Sequence, residues 1–333
     1  MLLGPDVVCD GFHRARRIRV QTHVHADHMY EFETSKGFQD LLMSEGTFDL
    51  LVAEYNADLG VRANGGNLYP LRYYHPHDLE STQITLFPNQ HMLGSAQVLV
   101  ESDGVRLGYS SDFSWPLSPE HQMTCDALVV DGTYGSPTSV REYSQEEAEA
   151  RLLELVRAKL VVGPVHLKGF RGTIHRALHL LGSEIDAPMV GGDDLCRDVA
   201  VYQRFGSVAA SVLKAESIGG REAVASGRYI RFYSKGDRFP AQVVNGATII
   251  LSAFMTDRRN PVLEYSGRAY RVALTDHADF TGTVEYVRAT GAQYVITDNT
   301  RGGHAIALAQ ALCERLGIDA RPSSNHESFE WGC

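Results

Sequence analysis

The sequence Thr22-His23-Val24-His25-Ala26-Asp27-His28 follows directly on a short apolar run at residues 18–22 that reads as a strand. Side chains alternate along a strand, so histidines two apart at its tip point to one side. A turn after them can bring Asp27 and His28 round to a second, neighbouring position. Three imidazoles and a carboxylate this close together form a hard-to-borderline donor set, suited to zinc and free of thiolate. A lone His-x-His would pass as solvent-exposed loop. The full His-x-His-x-Asp-His after a strand is a far rarer pattern, and it calls for a scaffold that holds strand tips rigidly.

Composition narrows the setting. The five cysteines, Cys9, Cys125, Cys196, Cys313 and Cys333, lie far apart without a Cys-x-x-Cys pair. That spacing argues against a disulfide framework and a thiolate zinc site, and fits a reducing compartment. The net charge of −10 counts against a nucleic-acid binder held by bulk charge, though not against a local basic groove or a metal-centred phosphate site. No window approaches the roughly 20 apolar residues of a membrane span. Residues 1–6 show neither a basic nor an apolar leader segment, so a cytoplasmic location is expected.

The chain carries no internal repeat or long linker. Its first third reads as short strands between Gly, Asn, Asp and Pro turns, at residues 18–22, 49–53, 83–87, 96–101, 105–110 and 127–131. After Pro137 the texture changes. Ser144-Gln145-Glu146-Glu147 is a capping box opening an amphipathic helix to Leu160. Helical patterns at 173–181 and 194–205 flank a short apolar run at 188–190. Strand texture returns at 248–253 and 270–275, followed by a helix near 282–289, a strand at 294–297 and a helix at 305–316. The expectation is an α/β chain with one sandwich-like domain, 1–138 and 247–333, interrupted by a smaller α/β unit at 139–246.

One histidine loop cannot fill two metal positions, and the further ligands stand at strand ends. His91 follows the run at 83–87, in Asn89-Gln90-His91-Met92-Leu93-Gly94-Ser95, and Asp112 follows Gly108-Tyr109-Ser110-Ser111. An aspartate can bridge two cations, which histidine cannot. Two metals about 3.5–4 Å apart can clamp both oxygens of an in-line phosphoryl displacement.

The ordered series His-x-His-x-Asp-His, a lone His before Gly, and Ser-Asp at a strand end resembles the metallo-β-lactamase fold, an αββα sandwich. Val130-Asp131-Gly132-Thr133-Tyr134-Gly135, the insert after Pro137, Leu274-Thr275-Asp276-His277-Ala278-Asp279-Phe280 and an early Asp10-Gly11 narrow the resemblance. They are similar to the β-CASP nucleases, the nucleic-acid-processing branch, and in texture to its short stand-alone RNA-processing factors and exonucleases. The resemblance implies that His23, His25 and His91 hold one zinc and that Asp27 and His28 hold a second, with Asp112 bridging. Asp131 would orient His277, the general acid. Asp10 would steady the histidine loop from behind the ligands. Where RNA-processing members place a late histidine on the second metal, this chain reads Thr297-Asp298-Asn299-Thr300-Arg301-Gly302-Gly303-His304. DNA-repair members also lack that histidine. Asp298 is the expected replacement ligand, with Asn299 and His304 as the other donors, and manganese partly replacing zinc at that weaker position.

The expected activity is a two-zinc phosphodiesterase acting on single-stranded nucleic acid, with RNA weakly preferred. The rivals are a DNA 5′ exonuclease of the repair type, a thiolester hydrolase of the same fold, and a catalytically weak scaffold of a processing complex. A homodimer is an allowed assembly, and no membrane partner is expected. The arginines Arg14, Arg16, Arg17 and Arg19 stand just before the histidine loop in sequence and are candidates for tracking phosphates, with Lys168 and Arg171 of the insert as another wall. Lys168 and Arg171 are joined in that role by Arg176, Arg258 and Arg259. Two further motifs have blander readings. Tyr73-Tyr74-His75-Pro76-His77-Asp78 reads as a loop near the substrate entrance, and His175 with His179 reads as helix core.

Overall fold

The computed structural model describes residues 1–323 apart from positions 56, 80, 209, 235, 253, 255 and 256. The chain divides into two compact units, Met1–Val140 together with the chain from His277 onward, and Arg141–Asp276. Among the described residues no helix is long and apolar enough to cross a membrane.

The first unit opens with β1 (Leu2–Leu3), β2 (Val7–Cys9), β3 (Ile18–Gln21), β4 (Asp40–Ser44) and β5 (Leu68–Leu71), paired in that order. From β2 to β5 the pairing is parallel. Parallel strands covered on both faces lose the apolar–polar alternation, which is why Arg19 and Gln21 lie buried in β3 beside Ile18 and Val20. A second sheet follows, made of β6 (His77–Leu79), β7 (Thr82–Pro88), β8 (Ala96–Ser102), β9 (Val105–Tyr109) and β10 (Ala127–Val130). Asp103-Gly104, both at positive φ, form the two-residue turn that sets the β8–β9 register at Ser102 opposite Val105.

The second unit is built on β11 (Val165–Lys168), β12 (Met189–Gly191), β13 (Val212–Lys214), β14 (Ile230–Tyr233), β15 (Ala247–Ser252), β16 (Val262–Ser266) and β17 (Ala269–Ala273). Their order is β13-β12-β14-β11-β15-β17-β16, parallel except for the β16–β17 pair. Here the boundary expected at 246 needs correction. β15 pairs with β11, and β17 with β15, so residues 247–273 extend the sheet of the second unit. A return of strand texture says nothing about which sheet a strand joins.

The chain then completes the first unit with β18 (Tyr294–Thr297) and β19 (Asp319–Pro322) beside β10. Among the described residues two cores hold this unit. One lies between its sheets, with Val7, Ile18, Val20 and Leu42 facing Ile84, Leu86, Val98 and Val100. The other lies between the second sheet and the helices Phe280–Thr290 and Ala305–Leu316, around Phe113, Leu128, Val284, Val287, Leu308 and Leu312. Each such fully buried side chain contributes about 1.5–3 kcal/mol. Residues 49–53, expected as a strand, lie inside the helix Glu45–Tyr55. A short apolar run has no period of its own, and packing against β4 and β5 decides it.

Strands β7, β9, β10 and β18 all run in one direction, because β7 and β9 are both antiparallel to β8 and β10 is parallel to β9 and β18. Their C-terminal ends, leading to His91, Asp112, Asp131 and Asp298, therefore share one edge of the sheet. The loop carrying His91 is pinned at Gly94, whose φ is +80° and whose carbonyl accepts hydrogen bonds from the Ser44 and Thr47 hydroxyls. A Cβ there would stand 2.1 Å from the Thr47 nitrogen and 2.5 Å from the Gly46 carbonyl carbon. Gly94→Ala should lower stability by at least about 2 kcal/mol. Thermal unfolding measures this, and an unchanged midpoint would show that the loop can move aside.

Candidate metal centre

The segment after β3 delivers His23 and His25 from extended backbone and Asp27 and His28 from a single 3₁₀ turn, Ala26–His28. The rings of His23, His25 and His91 form an equilateral trio, each pair of centroids 4.8 Å apart and each pair nearly perpendicular. Their ring nitrogens converge. His25 Nδ1 lies 3.2 Å from His23 Nε2 and 3.0 Å from His91 Nε2. Donors at the usual zinc–nitrogen distance in a tetrahedral shell would be separated by about 3.3 Å.

Asp112 joins three groups of residues. Its Oδ2 lies 3.8 Å from both His23 Nε2 and His91 Nε2, 3.3 Å from His28 Nε2 and 3.9 Å from His277 Nε2. Three donor sets whose atoms all fall within 4.8 Å of one another therefore share it: His23, His25, His91 and Asp112; Asp27, His28 and Asp112; and Asp112, Asp131 and His277. The first two have the chemistry of cation sites. A further observation supports the second of them. His28 Nε2 is buried without a well-directed hydrogen bond, facing Asp112 and, at 3.8 Å, Asp27 Oδ2. A buried nitrogen left this way is expected where a cation completes the environment.

The supporting groups orient the donors. Asp10 accepts from the Thr22 N–H at 2.8 Å, the Thr22 hydroxyl at 2.7 Å and the Gln21 amide at 3.3 Å, and pairs with His28 Nδ1 at 2.7 Å. Asn89 donates to the Asp112 carbonyl at 2.7 Å and accepts from the His91 N–H, tying two donor loops together. Asp131 Oδ2 meets His277 Nδ1 at 2.9 Å, while Thr133 donates its N–H and hydroxyl to Oδ1.

Electrostatics separate the histidines. Burial holds His23 well below its ordinary value, aided by the neighbouring imidazoles, so it is a neutral donor. Burial also disfavours charge on His28, but Asp112 and Asp10 outweigh it and raise its pKa to about 10. Burial alone would raise Asp10, and the His28 imidazolium more than reverses that.

No family model matches the chain. An uncharacterised protein in the lig 3′ region of Acidianus ambivalens is 35% identical over 114 residues, covering 34% of this chain and 81% of that protein. The chain belongs to the same family as this archaeal protein. An RNase J-like protein of Methanocaldococcus jannaschii is 24% identical over 210 residues, covering 56% of this chain. The match spans about half, 49%, of that relative's length. A solved structure of a protein of unknown function from Enterococcus faecalis V583 shares the fold, with a TM-score of 0.60 at 12% identity over 86% of this chain and 78% of that one.

Several expected residues stand elsewhere. Asp298 is absent from the converging groups. Its Oδ1 accepts the N–H and hydroxyl of Thr300, and its Oδ2 meets Arg301 Nη1 at 2.7 Å, so both oxygens are engaged. The Asn299 backbone N–H bonds the Ser323 hydroxyl, and His304 is exposed at the start of the last helix and absent from those groups. Arg14, Arg16 and Arg17 precede β3, whereas the histidines follow it, leaving roughly 13 Å of strand between them. Arg16 instead donates to the Pro5 carbonyl. In the second unit, Arg171 forms a two-point ion pair with Asp198, Lys168 donates to the Asp237 carbonyl, and Arg258 and Arg259 both pair with Glu142. Buried His175 stacks flat on Tyr202, while His179 is exposed. Tyr74 lies half-exposed against His121, whose Nδ1 accepts from Gln90, the neighbour of His91.

Two residues near the centre carry no sequence signature of their role. Arg19 is wholly buried and donates to the His28 and Tyr30 carbonyls, Gln21 and Ser35. Arg301 reaches the Asp27 carbonyl.

The pKa shifts predict a pH dependence for the metal-free protein. His28 binds its proton more tightly when folded, so its stabilisation is complete below the unfolded value near 6.5 and is lost as pH rises toward about 10. Asp10, held low, contributes above its unfolded value near 3.8 and less as pH falls below it. Thermal unfolding in chelator should therefore show stability declining from pH 6.5 to 10, and His28→Gln should flatten that limb. An identical limb in both proteins would remove His28 from its origin.

Proposed function

We propose that this chain is a metal-dependent nuclease of the metallo-β-lactamase fold, β-CASP branch, hydrolysing phosphodiester bonds in single-stranded nucleic acid. The observation that carries this is the convergence of three donor groups on one carboxylate, Asp112. The likeness to an RNase J-like protein supports it and favours RNA as substrate. A DNA exonuclease is the second reading, since Asn299 stands where RNA-processing members would place a histidine, an absence shared with DNA-repair members.

His23, His25 and His91 would hold a zinc ion, and Asp27 and His28 a second cation, zinc or manganese, with Asp112 between them. The cations would supply Lewis acidity toward the phosphoryl oxygens. The rest of the task falls to side chains. Asp131 fixes the tautomer of His277 by accepting from Nδ1, which leaves Nε2, on the Asp112 side, to carry a proton to the leaving oxygen. Thr133 keeps Asp131 from turning away. Asp10 holds the ring of His28 with Nε2 directed at the cluster. The first unit would be the metallo-β-lactamase domain and the second the β-CASP insert.

Two variants test the proposal. His23→Ala should lose the tighter-bound cation and the nuclease activity together, read by metal analysis beside cleavage of 5′- and 3′-labelled RNA and DNA of equal sequence. Full activity in rigorously metal-free protein would overturn it. His277→Ala should lower turnover by roughly 10²–10⁴ with the cation content unchanged. Loss of the cation in that variant would make His277 a ligand instead of an acid.

A further inference from the structure

Arg301 occupies a built position. Asp298 Oδ1 caps the turn by accepting from Thr300 N–H at 2.8 Å and Thr300 hydroxyl at 2.7 Å. Gly302 and Gly303 take positive φ, and a Cβ on Gly303 would stand 2.5 Å from the Gly132 carbonyl oxygen. The His304 N–H then bonds that same carbonyl at 2.8 Å. Between these fixed points the Arg301 side chain is led inward, four-fifths covered, and grips three partners. Nη1 donates to Asp298 Oδ2 at 2.7 Å and to the buried Tyr109 hydroxyl at 3.1 Å, and Nε donates to the Asp27 carbonyl at 3.3 Å.

We infer that Arg301 is a resident cation that weakens the second metal position, by engaging Asp298 and by placing a permanent positive charge beside Asp27. This rests on the metal-dependent reading of the cluster. The two positions differ in their donors. The first has three imidazoles and Asp112, whereas the second has only His28, Asp27 and the shared Asp112. Asp298, a carboxylate gripped by the same side chain that reaches the Asp27 carbonyl, faces the guanidinium. A guanidinium cannot shed its charge, and like charges repel in inverse proportion to distance, more strongly where water is excluded. The chain thus holds one cation tightly and a second loosely. Positive charge on the Asp27 side of the cluster is supplied by the protein itself, whether or not a second ion is bound.

Titration of metal-stripped protein with zinc, and separately with manganese, followed by calorimetry and by metal analysis after desalting, tests this without reference to activity. The wild type should bind one ion tightly and a second at least a hundredfold more weakly. Arg301→Met should strengthen the second site by tenfold or more, because Asp298 is released and the repelling charge is gone. Arg301→Gln, which keeps a hydrogen-bond donor for Asp298, should do so by less. Arg301→Lys should keep the wild-type pattern. Adding Asp298→Asn to Arg301→Met should remove most of the gain, which a merely structural Arg301–Asp298 pair would not produce. Thermal unfolding identifies which variants are folded. Two ions of equal affinity in the wild type, or an unchanged second site in folded Arg301→Met and Arg301→Gln, overturns the inference while leaving the proposed nuclease standing. A wild type that cleaves nucleic acid and binds no ion overturns both.

Discussion

A buried carboxylate, Asp10, organises the centre. It sits at the end of β2, beside the end of β3, and collects the Thr22 backbone, the Thr22 hydroxyl, the Gln21 amide and the His28 ring. A charge this deep is tolerated only when its lone pairs are satisfied and an opposite charge is near. His28, charged in the metal-free protein, supplies it directly at 2.7 Å, and a second opposite charge is relayed. Gln21 donates its amide to Asp10 and accepts from Arg19 with its carbonyl oxygen, so a buried guanidinium and a buried carboxylate are joined through one side-chain amide. Gln21 also holds the His23 and His28 carbonyls. The geometry of the histidine loop is thus determined from beneath, by a polar layer between apolar ones. Loosening any member would release several donors at once.

Backbone strain collects around the same place. Asp10, Gln90 and Ser111, each next to or part of a donor loop, adopt left-handed φ values of 53°, 59° and 51°. Non-glycine residues rarely do so, and such conformations persist only where the surroundings over-determine them. Asn89 shows what does this for Gln90 and Ser111: it spans from the His91 loop to the Ser110 and Asp112 carbonyls. Each strained residue turns a strand end sharply enough to aim the next side chains across the sheet edge.

How much of this was legible in the sequence differs from residue to residue. His23, His25, Asp27, His28, His91 and Asp112 could be picked out because donor atoms of unusual type recur where apolar runs end, and strand ends are where a sheet presents side chains. The capping box at Ser144 and Glu147 is there as read, since local chemistry alone determines it. Local rules failed where distant partners decide. The run at 49–53 became helix through its packing on β4 and β5, and residues 247–273 joined the second unit through their pairing with β11. Where a charge lies in the fold is likewise decided by distant partners. Arg14, Arg16 and Arg17 are near the histidines in sequence but at the opposite end of a strand. Arg19 points into the layer that no amphipathic pattern marks, and Arg301 meets Asp27 from 274 residues away.

The placement of the second unit within the first has a consequence for how the protein comes into being. The donors from His23 to Asp112, and Asp10 behind them, lie in the first third of the chain, and Asp131 follows soon after. His277, the partner of Asp131, is 146 residues further on, at the point where the chain leaves the second unit. Chains are made and begin to fold from the N-terminus. On a ribosome the histidine cluster is therefore synthesised long before His277, and until the whole second unit has been translated Asp131 lacks its imidazole partner. The order of synthesis keeps the histidine cluster and His277 apart until the two stretches of the first unit are both available.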